Sequence, residues 1–195
     1  LGRQPSRMDL FTYMDDDIYQ KAITRSSENP FKKYLEYLNE LNELTEEQKS
    51  FCRTIGKEFV KLLENTNMTK VYKMPVLMAF YNHGDVRMKV TETELLVSWK
   101  EFFSIGANWK DLDTGITYEQ YCKISDKDHI KTIIKMPVNF LMRSGKGFFV
   151  KKEDSVLALR DEMKEIIKNP VLAEQMKDVI EYRAMAYYQR RYKEQ

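Results

Sequence analysis

The chain has 195 residues, with 32 Lys and Arg against 30 Asp and Glu, so its net charge of +2 does not by itself indicate a nucleic-acid-binding protein. The two cysteines, Cys52 and Cys122, have no Cys or His partner at zinc-ligand spacing, which argues against a metal site and favours free thiols in the cytoplasm. No apolar run approaches the roughly 20 residues of a membrane-spanning helix, and no cofactor is predicted. Because the chain begins with Leu1, we expect it to be part of a longer polypeptide.

The first third of the chain predicts a helical segment over residues 1–66. Residues 1–28 are polar with little periodicity, and the three aspartates 15–17 are interpreted as a solvated turn or a helix start instead of a cation site. A helix is predicted from Pro30 behind the N-cap Asn29. A second helix is predicted after Thr45, which forms a capping-box pattern with Gln48, and the two are expected to pack as an antiparallel hairpin.

The middle of the chain predicts a winged-helix-like unit over residues 67–160. A helix from Pro75 is followed by a short alternating strand at 86–90 and by a helix behind the capping box of Thr91 and Glu94. Residues 105–125 are predicted to be an insertion. A helix beginning at Ser125, kinked at Pro137, then precedes a hairpin of strands 148–152 and 156–159.

Residues 161–195 are predicted to form C-terminal helices, the longer of which begins at Pro170. Arg183 falls on its apolar stripe, which predicts a partly buried arginine paired with a carboxylate. The predicted fold is therefore mainly α with a small β hairpin: a winged-helix-like centre flanked by an N-terminal helical hairpin and a long C-terminal helix, in one compact domain.

Basic residues concentrate in the predicted third helix, in the hairpin and in the tail. We expect the hairpin to project with its lysines facing solvent, where they would contact phosphates, and the tail to add cations beside Tyr187, Tyr188 and Tyr192. The predicted nucleic-acid-binding residues are Lys127, Lys131, Lys135, Arg143, Lys146, Lys151, Lys152, Arg190 and Arg191.

Two other functions stay open from the residues. The Tyr- and Met-rich faces favour a protein-interaction module. Asp154 with Glu162 and Lys164 resembles the metal-binding arrangement of restriction-type nucleases, although here the Glu-x-Lys pair falls at a helix start instead of in a strand. His83 and His129 are isolated in sequence, which favours capping or surface roles over catalysis. No catalytic residue is predicted.

Three strings carry a resemblance to a known family: residues 1–6 (LGRQPS), 66–77 (TNMTKVYKMPVL) and 178–183 (DVIEYR). They resemble the C-terminal region of large bacterial DEAD/DEAH-type (superfamily-two) helicase-like proteins, some of which carry nuclease domains and are linked to DNA restriction or defence. Asn67 and Val71 depart from the family's usual residues. The resemblance spans most of the chain.

The resemblance implies a region outside the helicase motor. The chain has no Gly-rich loop ending in Gly-Lys-Ser or Gly-Lys-Thr and no Asp-Glu-Ala-His or Asp-Glu-Ala-Asp string. The resemblance therefore implies a non-catalytic accessory domain that assists DNA binding, with the upstream motor domains of the same polypeptide as a partner.

Overall fold

The computed structural model describes residues 2–25, 29–82, 84–113 and 115–193. The chain forms two compact units, which we call the terminal unit (Leu1–Thr66 with Glu165–Gln195) and the central unit (Asn67–Lys164). It is mainly helical, with two small antiparallel sheets and a long C-terminal helix, so the predicted fold class is confirmed at this level. The winged-helix assignment stays a prediction.

The elements of the described residues follow in chain order. The α-helices are α1 (Arg7–Tyr13), α2 (Asp16–Thr24), α3 (Tyr34–Glu40), α4 (Glu46–Phe51), α5 (Ile55–Asn65), α6 (Lys73–Phe80), α7 (Glu92–Ser104), α8 (Tyr118–Cys122), α9 (Asp126–Ile133), α10 (Asn139–Ser144) and α11 (Pro170–Lys193). The strands are β1 (Tyr81–Asn82), β2 (Asp85–Val86), β3 (Lys89–Val90), β4 (Phe149–Val150) and β5 (Leu157–Leu159). A π-helical turn covers Ile134–Val138, and 3-10 helices cover Asn108–Asp111 and Asp161–Glu165.

Helices α1 and α2 lie in the stretch where the sequence predicted little structure. Ser6 caps α1 and forms a capping box with Asp9. The carboxylate of Asp15 accepts the backbone N–H groups of Asp17 (2.9 Å) and Ile18 (3.3 Å) at the start of α2, so the helix-start interpretation of the aspartate run is correct.

The predicted helix at Pro30 begins later than expected. The Asn29 side chain accepts the N–H of Phe31 (2.9 Å) and closes a turn there, and α3 begins only at Tyr34. The capping box of Thr45 and Gln48 is present as predicted. The helix that it starts is, however, divided into α4 and α5.

Helix α11 packs against α1, α4 and α5 in the terminal unit. The ring of Tyr182 stacks on Phe31 at a centroid distance of 4.4 Å. The prediction for Arg183 was wrong about its partner: its guanidinium donates to the carbonyls of Leu63 (2.6 Å) and Thr66 (2.5 Å), not to a carboxylate. These carbonyls end α5 and lack helical partners, so the arginine satisfies them, while burial lowers the pKa of Arg183 to about 10.

A buried charge network ties the first helix to the rest of the terminal unit. Arg7 is 0% exposed, and its guanidinium binds Glu64, Asp178 (2.8 Å) and Gln175 (2.9 Å). It also lies 4.4 Å from the ring centre of Tyr34. The charge of Arg7 is therefore compensated by two carboxylates inside the unit.

In the central unit, β3, β5 and β4 form a three-stranded antiparallel sheet in that order. Lys89 pairs with Ala158 and Phe149 pairs with Leu159. The hairpin strands are shorter than predicted, and β1 and β2 form a separate hairpin that the sequence did not predict. Helix α7 packs against α6 and α9, and the predicted insertion 105–125 contains α8 and one of the 3-10 helices.

Candidate nucleic-acid interface

Residues 126–144 form one continuous helical run through α9, the π turn and α10. Its side chains follow a period of four residues instead of 3.6. The exposed positions of this period are Lys127, Lys131, Lys135, Asn139 and Arg143. The buried positions of the same period are His129, Ile133, Pro137, Leu141 and, just after the run, Gly145. We call the first set the basic stripe.

The π turn keeps this four-residue period on one side of the helix. In an α-helix a step of four residues advances about 40° beyond a full turn, so four steps from Lys127 to Arg143 would drift by about 160°. The π turn of Ile134–Val138 takes up one extra residue, which removes about 100° of that drift. Arg143 therefore lies within about 60° of Lys127 around the helix axis.

The structure shows how the run passes Pro137 and where Ile134 lies. The helical backbone does not break at Pro137 but continues through a π turn, because the wider turn relieves the clash of the proline ring with the preceding turn. The kink at Pro137 stays a prediction. A 3.6-residue period places Ile134 on the apolar face with Ile130 and Ile133, but Ile134 is 40% exposed. A 3.6-residue period was assumed for the run, and the π turn shifts residue 134 off that face.

The stripe lies in a part of the chain with a strong local charge. Residues 129–152 contain six Lys and Arg and no Asp or Glu, which gives +6 where the whole chain carries +2. The remainder of the chain is therefore −4. The nearly neutral net charge of the whole chain therefore conceals a basic region.

Most of the predicted cations are available for an external anion. Within the part of the chain that the structure describes, no ion pair is formed by Lys127, Lys131, Lys135, Arg143, Lys146 or Lys151, all of which are exposed. Of the two aspartates beside Lys127, Asp126 is paired with Lys100 of α7 (2.9 Å), and the carboxylate of Asp128 accepts the Ser125 hydroxyl (2.6 Å). Lys146 has a left-handed backbone (φ 49) in the turn between α10 and β4.

The hairpin does not project as a basic ribbon, which corrects the expectation for it. Its strands are buried, with Phe149 at 4% and Leu157 at 0% exposure, because they form a sheet with β3. Lys152 is half-buried and pairs with Asp161 at 2.6 Å, and this contact with Lys152, together with Lys164, lowers the pKa of Asp161 to about 2. Of the hairpin lysines, Lys151 is the exposed one.

The predicted tail cations belong to α11 in the terminal unit. Arg190 is exposed, whereas Arg191 is half-buried and donates to the Tyr187 hydroxyl at 3.3 Å. Tyr187 and Tyr188, which the sequence places among these cations, are buried at 5% and 9% exposure and do not present their ring faces to a ligand. The basic stripe itself is confined to the central unit.

The candidate catalytic groups are used structurally where the structure describes them. His129 is buried, and its Nδ1 accepts the indole N–H of Trp99 at 3.2 Å. Burial lowers the pKa of His129 and keeps the ring neutral. His83 lies outside the described residues. Lys164 of the nuclease-like triplet pairs with Asp161 at 2.9 Å.

The described residues contain neither a cluster of metal ligands nor a membrane-spanning helix. Across residues 2–25, 29–82, 84–113 and 115–193, no three or more His, Cys, Asp or Glu side chains lie together as metal ligands would. Over those same residues, none of the helices combines the length and the apolar character that crossing a bilayer requires.

Two exposed side chains of the helical run were not among the residues predicted from the sequence. Asn139 completes the basic stripe, and Phe140 is 50% exposed beside it. Testing a four-residue period between Ser125 and Gly145 would have assigned Asn139 to the stripe.

Comparison with known proteins adds no identity: no protein-family model, curated protein or solved structure matches the chain.

Proposed function

We propose that this chain is a non-catalytic accessory domain of a bacterial superfamily-two helicase or restriction-type enzyme, and that it binds DNA through the basic stripe. The observation that carries the proposal is the alignment of Lys127, Lys131, Lys135 and Arg143 on one side of a continuous helical run, all exposed. A row of cations on a rigid element holds a phosphate backbone by displacing its counterions.

The local charge supports a polyanion as the partner. Residues 129–152 contain Lys131, Lys135 and Arg143 of the stripe and no Asp or Glu, whereas Lys127 lies just before this segment, between Asp126 and Asp128. Successive stripe positions lie about 6 Å apart along the axis, since four residues rise about 1.5 Å each. Such a row fits a repeating anion better than a single charged group.

The order of elements supports a winged-helix mode of binding. Apart from the β1–β2 hairpin after α6 and the segment with α8 after α7, the elements α6, β3, α7, helical run, β4 and β5, with β3 paired to β5, follow the order predicted for that fold. In such a domain the run 126–144 would be the helix that faces the nucleic acid.

The wider context rests on the resemblance to superfamily-two helicase-like proteins. It supports the upstream motor domains as the partner within the same polypeptide, and DNA over RNA as the ligand. The free thiols of Cys52 and Cys122 support a cytoplasmic setting. The accessory role is supported by His129 and Lys164, whose contacts are structural.

Fluorescence anisotropy with a labelled oligonucleotide tests the proposal on the whole chain. The stripe variant replaces Lys127, Lys131 and Lys135 by Gln. The matched control replaces three exposed lysines of the terminal unit by Gln: Lys49, Lys61 and Lys177. Both variants lower the net charge from +2 to −1, so a difference between them reports position and not total charge.

The expected loss follows from counterion release. At 0.1 M salt each single-strand phosphate contact contributes about 0.7 log units of affinity, so three contacts account for about a hundred-fold. The stripe variant should lose about that factor, and the control should stay within a few-fold of wild type. Equal losses in both variants, or no binding by wild type at low salt, would refute the proposal.

A second function, protein docking, is favoured by the end of α11. Met185 and Tyr192 are each 51% exposed and lie seven residues apart, on one side of that helix. Exposed Met and Tyr side chains are favoured at interfaces. Light scattering tests this hypothesis: self-association that is lost in a Met185→Ser/Tyr192→Ser variant supports it, and a monomer without a pull-down partner argues against it.

A further inference from the structure

Phe140 is a large apolar side chain left in solvent next to the basic stripe. It is 50% exposed in α10, a helix whose Leu141 is 1% exposed. The neighbouring Asn139 belongs to the stripe. An exposed aromatic ring beside aligned cations differs from a scattered surface hydrophobe, because one ligand can contact both.

The π turn places Phe140 between two cations. Lys135 precedes it by five residues through the π turn, and Arg143 follows it by three residues in α10. Five residues make about one turn where the helix has i to i+5 bonding, and three residues make about one turn of α-helix. The ring therefore has a positive side chain about one turn away in each direction.

A nucleic-acid duplex does not cover such a ring well. In a duplex the base faces are stacked on one another, and only the base edges are presented in the grooves. In a single strand the base faces are open, and aromatic rings stack on them while cations hold the phosphates on either side.

We infer that Phe140 stacks on an unpaired base and that the basic stripe binds single-stranded nucleic acid in preference to duplex. The inference rests on the proposed function, because it assigns the ligand class of the same surface. Phosphates contact Lys135 and Arg143, and the base between them lies on the ring. Ile134 and Met142, exposed at 40% and 38%, flank the ring on the same helical run.

The test compares two probes on the whole chain, a labelled 20-nucleotide oligothymidine and a labelled duplex of 20 base pairs. Phe140→Ala removes the ring, Phe140→Trp keeps an aromatic surface, and Tyr13→Ala removes an exposed aromatic ring (72%) from the terminal unit as the matched control. Circular dichroism confirms that each variant is folded. The salt dependence of binding is recorded for each protein.

Stacking predicts that Phe140→Ala loses about 5- to 150-fold in affinity for the single strand, which is the range for one base on one aromatic ring. Duplex affinity and the salt dependence should be unchanged, because no cation is removed. Phe140→Trp should bind like wild type and show altered tryptophan fluorescence with the single strand. Tyr13→Ala should match wild type.

Three results would overturn the inference. An unchanged single-strand affinity in Phe140→Ala refutes stacking, and the proposed function still stands if the stripe lysine variant loses affinity. Equal losses for both probes refute the single-strand preference. A change in self-association in Phe140→Ala, with nucleic-acid affinity unchanged, assigns the ring to a protein interface instead.

Discussion

Replacing Arg7 by Met tests the physical account of the terminal unit. The guanidinium is 0% exposed and compensates two carboxylates whose side chains are 3% (Glu64) and 11% (Asp178) exposed. Met has a similar length and fills most of the space. The perturbation therefore removes the positive charge and leaves two buried carboxylates without it.

The magnitude follows from this stranded charge. Removing one partner of a buried ion pair costs about 3–5 kcal/mol of unfolding free energy. Asp178 keeps part of its stabilisation, because it also accepts the backbone N–H groups of Arg7 (3.0 Å) and Met8 (3.2 Å). Glu64 keeps the backbone N–H of Tyr34 (3.1 Å) as a donor. For a chain of this length the loss corresponds to a fall of about 6 to 20 °C in Tm.

Thermal unfolding followed by far-ultraviolet circular dichroism measures the effect. Fluorescence is less suitable, since the two tryptophans, Trp99 and Trp109, both lie in the central unit. Arg3→Met is the control, because Arg3 pairs with Asp9 at the surface with 61% of its side chain exposed, and its Tm should be that of wild type.

A double variant separates stranded charge from lost packing. Adding Glu64→Gln to Arg7→Met removes one uncompensated carboxylate and should restore part of the lost Tm. The reasoning fails if Arg7→Met stays within about 1 kcal/mol of wild type, or if the double variant is no more stable than the single one.

Two further predictions concern one buried residue in each unit. Gly56→Ala should destabilise the fold by about 1–2 kcal/mol, because a Cβ at this position collides with the fully buried ring of Phe51. The cost of this overpacking outweighs the gain in helix propensity. A higher urea midpoint in the variant than in wild type would contradict the prediction. His129 has a lowered pKa, so the unfolded chain binds the proton more tightly and stability should fall as pH drops below about 6.5. His129→Gln should lessen that fall in stability, which tryptophan fluorescence measures during urea unfolding. If the stability of wild type and of the variant depended equally on pH, His129 would not be the group responsible.

Local signals in the sequence predicted much of the helical fold. The capping boxes at Thr45 and Thr91 mark helix starts that the structure contains, because caps act within one turn and need no tertiary information. Helices α1 and α2 were missed since they have only seven and nine residues. Their stability comes from distant contacts, such as that of Arg7 with Asp178, 171 residues away in the chain.

The candidate site was only partly predictable for a similar reason. The cations of the stripe could be named from the sequence, but their alignment depends on the π turn, which a 3.6-residue period does not reveal. The burial of the hairpin could not be foreseen either, because it depends on the pairing of β5 with β3 across 67 residues (from Val90 to Leu157). Because of this strand pairing, the candidate surface consists of the helix and excludes the buried hairpin strands.

The most direct measurement of the central claim is the salt dependence of oligothymidine binding by wild type and by the Lys127→Gln/Lys131→Gln/Lys135→Gln variant. Log affinity is plotted against log salt concentration from low to moderate salt. If the three lysines contact phosphates, the slope should be shallower in the variant by about 2, since each single-strand contact contributes about 0.7. Parallel slopes for the two proteins would show that these lysines do not contact phosphates and would contradict the account.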